Sequence, residues 1–404
     1  MHHSTDNLRR VRSWIDRQEL VHPLSTDRPT TIECFSALRD LCCPPNERTT
    51  EASEQVERFI GYAQKYVVIL IDGLGDCFKE LFPTGGFLNS ARQLPLVTGF
   101  PSSTAPMLTS FATATWPAEH GITGWNTYFQ EISRTITILP FVETETNISG
   151  SALGLQLQDL IPATPWYQDS TREIVTVMPR KIAQQQFSTW ARSQLPARGY
   201  AKLKQAAKAI LQSAHQGENE KLIYCYIPSV DTAAHSHGCD SAEVANEILL
   251  LDTWLTRLRK QLPADTKLLV TADHGLIDTR AESYFSVNEQ TQIMQFLSAP
   301  PSGESTMPIF HVTPGNEENF LRFFNHTPYS EYFSLLSVDQ ANELRLFGPE
   351  PLQPLMRRHL GSFIGIAHHP AVMKYEPGES QPAHLRAVHG GLRPEEMYVT
   401  LYME

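Results

Sequence analysis

Short apolar runs separated by amphipathic stretches recur along most of the chain. Residues 66–71 (YVVILI) form a continuous apolar run rich in β-branched residues, which is typical of a parallel strand buried on both faces. The same pattern recurs further along, at residues 135–141, 174–178, 222–227, 268–271 and 397–403. These runs predict the strands of a buried, mostly parallel sheet.

Hydrophobic periodicity predicts helices between these strands. Residues 199–216 are rich in Ala, Lys and Gln. Residues 243–262 carry apolar side chains at the spacing of one helix face: Val244, Ile248, Leu251, Leu255 and Leu258. Asp240 and Glu243 offer a capping box at the start of this helix. Strands that alternate with helices predict an α/β fold, a doubly wound sheet flanked by helices.

The pattern changes at both ends of this region, which predicts three parts. Residues 1–62 are polar and punctuated by proline, and we expect a helical extension packed on the core. Residues 63–279 and 361–404 form the predicted core. Between them, residues 280–360 read as a small inserted α+β cap, with a strand at 308–313 followed by a helix.

Composition narrows the class of partner. The 404-residue chain is 41% hydrophobic and 19% charged, which is ordinary for a soluble globular protein. Its formal net charge of −11 argues against binding to a nucleic-acid polymer, which requires a basic surface. No apolar run approaches the length of a membrane span, and the amino terminus lacks the apolar segment of a signal peptide. Six scattered cysteines indicate reduced thiols, so we predict a cytoplasmic location.

Acidic and imidazole side chains collect where the predicted strands end. Three aspartates and three histidines follow or precede four separate strands: Asp72, Asp231, His235, Asp273, His274 and His389. Ligands of doubly wound sheets bind beyond the carboxyl ends of the strands, so we expect these side chains to meet. Aspartate oxygens and histidine nitrogens suit two divalent cations, Zn²⁺ in the first place and Mn²⁺ as the alternative.

A hydroxyl side chain supplies the candidate nucleophile. The segment Phe100-Pro-Ser-Ser-Thr-Ala-Pro106 leads into an apolar helical pattern, and Pro106 suits the first turn of a helix. Thr104 is therefore predicted at a helix N-terminus, where the helix dipole and a bound cation favour an alkoxide. The structural alternative is that Ser103 or Thr104 only caps the helix.

Together these residues lie in motifs that resemble the alkaline phosphatase superfamily, and within it the type I phosphodiesterase/nucleotide pyrophosphatase branch. The resemblance covers residues 65–404 and rests on a set of short motifs: Asp72-Gly, Thr104-x-Pro, His120-Gly, Asp231-x-x-x-His235, Asp273-His274-Gly and His389-Gly-Gly. It implies an alkaline-phosphatase-like fold and a two-metal hydrolase of phosphodiester or nucleotide pyrophosphate bonds. The substrate would be a small phosphorylated molecule, with nucleotides among the candidates.

The resemblance also implies a role for each residue. One cation would be held by Asp231, His235 and His389. The other would be held by Asp72, Asp273 and His274, with Thr104 beside it as a metal-contacting nucleophile that forms a phospho-threonine intermediate. His120 is expected to be a packing residue. Four other histidines match no ligand position and are predicted to be solvated: His237, His368, His369 and His384.

One position departs from the pattern of the branch. The branch places an Asn five residues after the His of the His-Gly motif, where it contacts a phosphoryl oxygen. That position here is Trp125, and Asn126 follows it. Either a shift of one residue in the loop makes Asn126 the oxyanion contact, or the phosphoryl group is held differently. Aromatic residues near it, such as Trp116 and Tyr128, are candidates for stacking on a substrate ring or for plain packing.

Other functions of the same superfamily stay open at this point. A phosphomonoesterase or a phosphonate hydrolase uses similar ligands, although the absence of an Arg just after Thr104 favours diesters. A sulfatase is disfavoured because that class needs an oxidisable Cys or Ser followed by Arg. A metal-binding protein without catalytic activity is the alternative from another class. The oligomeric state is not predicted.

Overall fold

The computed structural model describes residues 2–24, 27–44, 49–378 and 384–404. The α-helices are α1 (His2–Asp16), α2 (Thr31–Asp40), α3 (Glu51–Ile60), α4 (Phe87–Ser90), α5 (Thr104–Thr113), α6 (Pro117–His120), α7 (Leu157–Leu160), α8 (Gln186–Ala191), α9 (Leu203–His215), α10 (Ser229–His237), α11 (Ala242–Arg259), α12 (Glu317–Asn325), α13 (Val338–Glu343), α14 (Pro354–His359) and α15 (Pro394–Met397).

The strands are β1 (Lys65–Ile71), β2 (Arg92–Val97), β3 (Asn126–Phe129), β4 (Arg134–Thr137), β5 (Val142–Glu143), β6 (Glu173–Pro179), β7 (Ala197–Tyr200), β8 (Lys221–Ile227), β9 (Thr266–Thr271), β10 (Ile277–Asp278), β11 (Tyr284–Val287), β12 (Leu297–Gly303), β13 (Pro308–Val312), β14 (Phe333–Ser337), β15 (Phe363–Ala367), β16 (Val372–Tyr375), β17 (Ala387–Val388) and β18 (Tyr398–Met403).

The first sheet has seven strands in the order β2-β18-β9-β1-β8-β6-β7. The central strand β1 pairs in parallel with β8 and β9, and β6 pairs in parallel with β8 and β7. All residues of β1 and β8 are buried, as expected for strands covered by helices on both faces. The predicted α/β class and mostly parallel sheet are confirmed.

Three strands of this sheet differ from the sequence prediction. The last strand, β18, runs antiparallel to β9 and β2. The two edge strands, β2 and β7, were not predicted because only a minority of their residues are buried and β2 contains Pro95. Proline is tolerated on an edge strand because it leaves no ladder hydrogen bond unmade there.

The strand predicted at residues 135–141 does not belong to the first sheet. Its residues form the shorter β4, which lies between β3 and β5 in a second sheet. Pro140 ends the apolar run, and buried and half-exposed positions alternate in the antiparallel hairpin partner β3. A short run buried in an antiparallel sheet has the same composition as a parallel strand, so periodicity alone did not distinguish the two.

The second sheet has seven strands in the order β14-β15-β13-β12-β3-β4-β5, with antiparallel pairing throughout. It combines β12, β13 and β14 from residues 280–360 with strands from elsewhere in the chain. The strand predicted at 308–313 is β13, and the helix after it is α12. The division of the chain into an extension, a core and an inserted cap stays a prediction.

The amino-terminal helices pack on both sheets. Leu8 and Val11 of α1 share an apolar cluster with Leu336 and Ile364 of the second sheet. In contrast, α2 and α3 bury Phe35 and Val56 in the core of the first sheet.

Two further sequence predictions concern the helices. The capping box predicted at Asp240 is wrong, because Ser241 caps α11 by accepting a hydrogen bond from the Val244 N–H. Within the part of the chain that the structure describes, no helix combines the length and apolarity needed to cross a bilayer.

Candidate metal centre

Four structural elements bring the predicted ligands to one edge of the first sheet. Asp72 follows β1. Asp231 and His235 lie on α10, which begins directly after Pro228, the residue that follows β8. Asp273 and His274 follow β9. His389 follows β17, whose pairing with β10 returns the chain to this edge. The carboxyl ends of parallel strands meet at one edge, which is why residues far apart in sequence converge here.

The first group of ligand atoms is Asp72, Asp273 and His274, which all lie within 4.8 Å of one another. His274 Nε2 is 3.4 Å from Asp72 Oδ1 and 3.6 Å from Asp273 Oδ2. All three side chains are buried. This is one of the two ligand sets that the resemblance implied.

The second group centres on Asp231. Its Oδ1 lies 3.2 Å from His235 Nε2 and 3.7 Å from His389 Nε2. Ligand atoms of Asp231, His274 and His389 also lie within 4.8 Å of one another, and the His274 and His389 rings stack with centroids 3.8 Å apart. The structure therefore brings all six predicted ligands into one cluster, in which His274 lies between the two groups.

Hydrogen bonds from Nδ1 hold two of the imidazole rings in a ligand orientation. His235 Nδ1 lies 2.7 Å from the Ala387 carbonyl oxygen, and His274 Nδ1 lies 3.0 Å from the Gly275 carbonyl oxygen. A carbonyl only accepts, so both Nδ1 atoms carry the proton and both Nε2 lone pairs face the carboxylates. This arrangement is common for histidines that bind metals.

The three aspartates of the cluster differ in the direction of their pKa shifts. Burial, followed by repulsion from Asp273 and Asp231, raises the pKa of Asp72 well above its usual range. Burial also raises the pKa of Asp273. Burial opposes ionisation of Asp231, but its interaction with the His235 imidazole, 3.2 Å away, and with the imidazoles of His389 and His274 outweighs burial and lowers its pKa to about 2.

Unpaired atoms in the cluster fit a divalent cation. Asp231 Oδ1, Asp273 Oδ2 and His389 Nδ1 are buried and have no hydrogen-bond partner in the described chain. A buried polar group without a partner is costly, and buried carboxylates are ordinarily paired or bound to metal. Carboxylate oxygens and imidazole nitrogens with these free positions are a suitable donor set for two cations.

Thr104 lies beside the first group. It is the first residue of α5, it is 4% exposed, and its hydroxyl oxygen lies 3.0 Å from His274 Nε2 and 3.5 Å from Asp72 Oδ1. Ser103, at the N-cap position, makes no side-chain capping bond, which leaves the first N–H groups of α5 without a side-chain cap. Such a helix N-terminus favours negative charge on the threonine oxygen and on a bound phosphoryl group.

Two glycines allow the ligand-bearing turns to pack closely. Gly73 has φ +73°, and a Cβ atom there would lie 2.6 Å from Leu276 Cδ1 and 3.1 Å from Asp231 Cα. A Cβ on Gly275 would lie 2.0 Å from the Glu395 carbonyl oxygen. Any side chain at either position would displace a turn that carries a ligand.

Sequence reasoning missed two side chains at this site. Tyr226 of β8 donates its hydroxyl to Asp72 Oδ2. Glu304 lies just after β12, and its Oε1 accepts hydrogen bonds from the Ser103 hydroxyl and, at 2.5 Å, from the Trp125 N–H. Burial raises the pKa of Glu304 to about 7. Glu304 comes from the second sheet, and its surrounding sequence (SGES) contains no signal for a site.

The buried Glu304 predicts a pH-dependent stability. The ordinary pKa of a glutamic acid is 4.5, and in the folded protein the pKa of Glu304 is about 7. The unfolded chain therefore ionises at lower pH than the folded one, so the free energy of unfolding falls as pH rises from about 4.5 and stops falling above about 7. Glutamine keeps the accepting Oε1 without the charge. We therefore expect Glu304→Gln in metal-free protein to gain several degrees in Tm over wild type between pH 5 and pH 8. The exposed Glu282→Gln variant is the control. A Glu304→Gln difference that stays constant with pH would contradict the buried charge.

The remaining sequence candidates lie around the site or away from it. Asn126 lies at the start of β3 on the wall of the site cavity, and its Oδ1 accepts a 2.8 Å hydrogen bond from the Thr137 hydroxyl. His120 is fully buried between Ser110 and the Ile122 N–H.

His237, His369 and His384 are exposed. The prediction for His368 is wrong, because it is 3% exposed and stacks on Trp14 of α1 at 4.0 Å.

The family follows from comparison with known proteins. A family model described as type I phosphodiesterase/nucleotide pyrophosphatase matches residues 66–327, which is more than half of the chain. The chain belongs to this family. The predicted resemblance and the general prediction of a phosphoric ester hydrolase are thereby confirmed. No curated protein matches the chain by sequence.

Solved structures share the fold of this family member at low sequence identity. Human ectonucleotide pyrophosphatase/phosphodiesterase 5 matches with a TM-score of 0.63 and 14% identity over 84% of this chain and 87% of that one. An inactive variant of the murine protein, in complex with AMP, matches equally well, with 14% identity, a TM-score of 0.63 and the same coverages of 84% and 87%. Phosphonoacetate hydrolase from Sinorhizobium meliloti, in complex with phosphonoformate, matches with a TM-score of 0.62 and 13% identity over 85% of this chain and 91% of that one.

Proposed function

We propose that this protein is a two-metal hydrolase of phosphodiester or nucleotide pyrophosphate bonds that acts through a phospho-threonine intermediate. The observation that carries this proposal is the Thr104 hydroxyl at the N-terminus of α5, 3.0 Å from His274 in a cluster of six ligand residues. Asp231, His235 and His389 would hold one cation, and Asp72, Asp273 and His274 would hold the other. The donor set suits Zn²⁺, with Mn²⁺ as the alternative.

The residues of the chain position the reaction. Thr104 releases its proton to solvent, and its oxygen attacks phosphorus in line with the leaving oxygen. The bond from phosphorus to that leaving oxygen breaks and the leaving oxygen takes up a proton from solvent, which gives a phosphorylated Thr104 and a released alcohol or phosphate. Water then attacks the same phosphorus from the side of the departed group, so that Thr104 is regenerated with overall retention. When bound, two divalent cations neutralise the negative charge that develops on the attacking and leaving oxygens.

The amino-terminal N–H groups of α5 and the Asn126 amide act on the phosphoryl oxygens. Helix N–H groups stabilise negative charge through their dipoles. The helix α5 borders the cavity, because its residues Leu108 and Phe111 line it. Asn126 Oδ1 is held by Thr137, which leaves its amide N–H groups to donate. Positioning and charge neutralisation of this kind account for most of phosphoryl-transfer catalysis.

Glu304 supports a diester over a monoester. Its buried carboxyl group is hydrogen-bonded to Ser103, the residue that precedes the nucleophile. A phosphomonoester carries two negative charges and a diester carries one, so the diester is repelled less by a neighbouring carboxylate. No Arg follows Thr104 to compensate a dianion. A phosphomonoesterase and a phosphonate hydrolase are the alternatives.

Nitrophenyl esters test this proposal directly. We expect the kcat/KM of bis(4-nitrophenyl) phosphate to exceed that of 4-nitrophenyl phosphate by at least about tenfold, because of the charge argument above. Chelation should abolish release of nitrophenolate, and Zn²⁺ or Mn²⁺ should restore it. A higher kcat/KM for the monoester, or for 4-nitrophenyl phenylphosphonate, would replace the diesterase with the corresponding alternative. Release that resists chelation would reject the metal-dependent mechanism.

A further inference from the structure

The cavity at the metal centre continues into the protein past the nucleophile. It has a volume of about 670 Å³ and begins at Asp72, Thr104 and Asp231. It then extends between α5, α8 and the strands β6 and β8. We call this second part the inner chamber and define it by six lining residues: Leu108, Phe111, Tyr167, Thr176, Arg192 and Tyr224. The proposed chemistry does not use this chamber.

The walls of the inner chamber are mainly aromatic and aliphatic. The Phe111 ring stacks on Tyr224 with centroids 4.5 Å apart and meets Tyr167 edge-on at 6.4 Å. Thr176 pairs with Tyr224 across β6 and β8, which places it on the same wall. An apolar surface of this kind takes the organic part of a ligand and gains free energy by excluding water.

Three polar atoms in these walls have no partner. Tyr167 Oη, Thr176 Oγ1 and Arg192 Nη1 are buried and make no hydrogen bond within the part of the chain that the structure describes. The three residues are 4%, 1% and 4% exposed. Buried donors are normally paired, and each unpaired one costs free energy. Their presence in one chamber indicates a ligand that accepts hydrogen bonds there.

Arg192 adds a charge to this requirement. Its Nε donates to the Leu195 carbonyl oxygen, and its Nη2 donates to the Thr189 hydroxyl at 3.1 Å, so both paired nitrogens bond to neutral oxygens. No ion pair of Arg192 occurs among the described residues. The acidic residues that line the cavity are Asp72, Asp231 and Glu304, and all three lie at the metal-centre end. A buried guanidinium without a counter-charge favours an anionic partner.

We propose that the inner chamber binds an anionic oxygen group, a carboxylate or a second phosphoryl group, which the substrate carries at the far end of an apolar segment. This inference rests on the proposed function, and it specifies the class of substrate that the proposed hydrolase would cleave. The scissile phosphoryl group lies at Thr104, the apolar segment packs on Phe111 and Tyr224, and the terminal oxygens accept from Arg192, Tyr167 and Thr176. The unpaired Arg192 guanidinium favours an anionic group over a plain alcohol at this position.

Substrates of graded length test the chamber. We compare 4-nitrophenyl diesters whose second group is an alkyl chain of increasing length ending in a carboxylate, in a phosphonate, or in the neutral methyl ester. Wild type should prefer one anionic end over its neutral counterpart at an optimal chain length, by about tenfold or more in kcat/KM. The carboxylate and phosphonate arms identify which anion fits. No preference at any length would overturn the proposal.

Variants assign that preference to the chamber. Arg192→Gln should lower the ratio of anionic to neutral substrate by about tenfold or more, while kcat/KM for methyl 4-nitrophenyl phosphate stays at the wild-type value. Arg198→Gln is the matched control, because Arg198 is exposed on β7 outside the chamber. Tyr167→Phe and Thr176→Val remove only unpaired hydroxyls, so they should lower the ratio without lowering Tm. An unchanged ratio in all three chamber variants would reject the assignment.

Binding without turnover separates this inference from the proposed function. In calorimetry, wild type and Thr104→Ala should bind an ω-phenylalkanoate or an ω-phenylalkyl phosphonate of the optimal length, whereas Arg192→Gln should bind at least about tenfold more weakly. If the protein binds these ligands but does not hydrolyse diesters, the proposed anion site in the chamber is supported and the proposed hydrolase function is rejected. If diesters are hydrolysed but wild type and Arg192→Gln bind these ligands with equal affinity, the proposed hydrolase function is supported and the proposed anion site in the chamber is rejected.

Discussion

We expect Thr104→Ala to lower kcat for the diester by at least about a thousandfold, while the metal content and Tm stay near those of wild type. The substitution removes one hydroxyl whose partners are His274 and Asp72, and it leaves the α5 backbone unchanged. Alanine suits this helix, so the loss reports the chemical step rather than folding. Single-turnover kinetics and metal analysis of the purified variant provide the measurement.

Two controls define what the loss means. Thr104→Ser keeps a hydroxyl at the same atom and should retain more of the activity than Thr104→Ala. Thr109→Val on the same helix removes a buried hydroxyl that donates to the Ala105 carbonyl oxygen, and it should leave kcat near wild type. Activity of Thr104→Ala within about tenfold of wild type would exclude Thr104 as the nucleophile.

The second large effect concerns His235, whose Nε2 lies 3.2 Å from Asp231. We expect His235→Gln to weaken the affinity of one of the two cations by at least about a hundredfold and to lower kcat/KM by a similar factor or more. Glutamine has comparable size but lacks the imidazole nitrogen, and it loses the Nδ1 bond to the Ala387 carbonyl oxygen. Equilibrium dialysis followed by elemental analysis counts the bound ions.

His237 offers a matched control for this substitution. It lies on the same helix, α10, two residues after His235, and its side chain is exposed. His237→Gln should bind two equivalents of metal and retain wild-type kcat/KM. If His235→Gln also binds two equivalents with unchanged affinity, then His235 is not a ligand, and the triplet of Asp231, His274 and His389 holds that cation without it.

The cluster also explains why isolated motifs were individually uninformative. An aspartate after a strand is ordinarily a cap or a turn residue, and Asp72 and Asp273 look no different in local sequence. Their place in a common cluster follows from the strand order, because β1 lies between β8 and β9 and the ends of these three strands are therefore neighbours. Strand ends were recognisable in the sequence because buried parallel strands are continuous apolar runs.

The sequence by itself determined the fold class, the strands β1, β6, β8 and β9, and the six residues that the structure brings together at the candidate metal centre. These features depend on local patterns, namely apolar runs and the residues that end them, which a linear chain records directly. It also placed Thr104 at a helix start, since Pro106 and the apolar residues after it define that helix.

Only the tertiary structure decided what surrounds that centre. Glu304 reaches it from the antiparallel second sheet, and Tyr167, Thr176 and Arg192 line the inner chamber from three separate segments. His368, which the sequence placed in solvent, is buried because α1 packs Trp14 against it. These positions depend on long-range packing between segments that share no periodicity, so no local pattern records them.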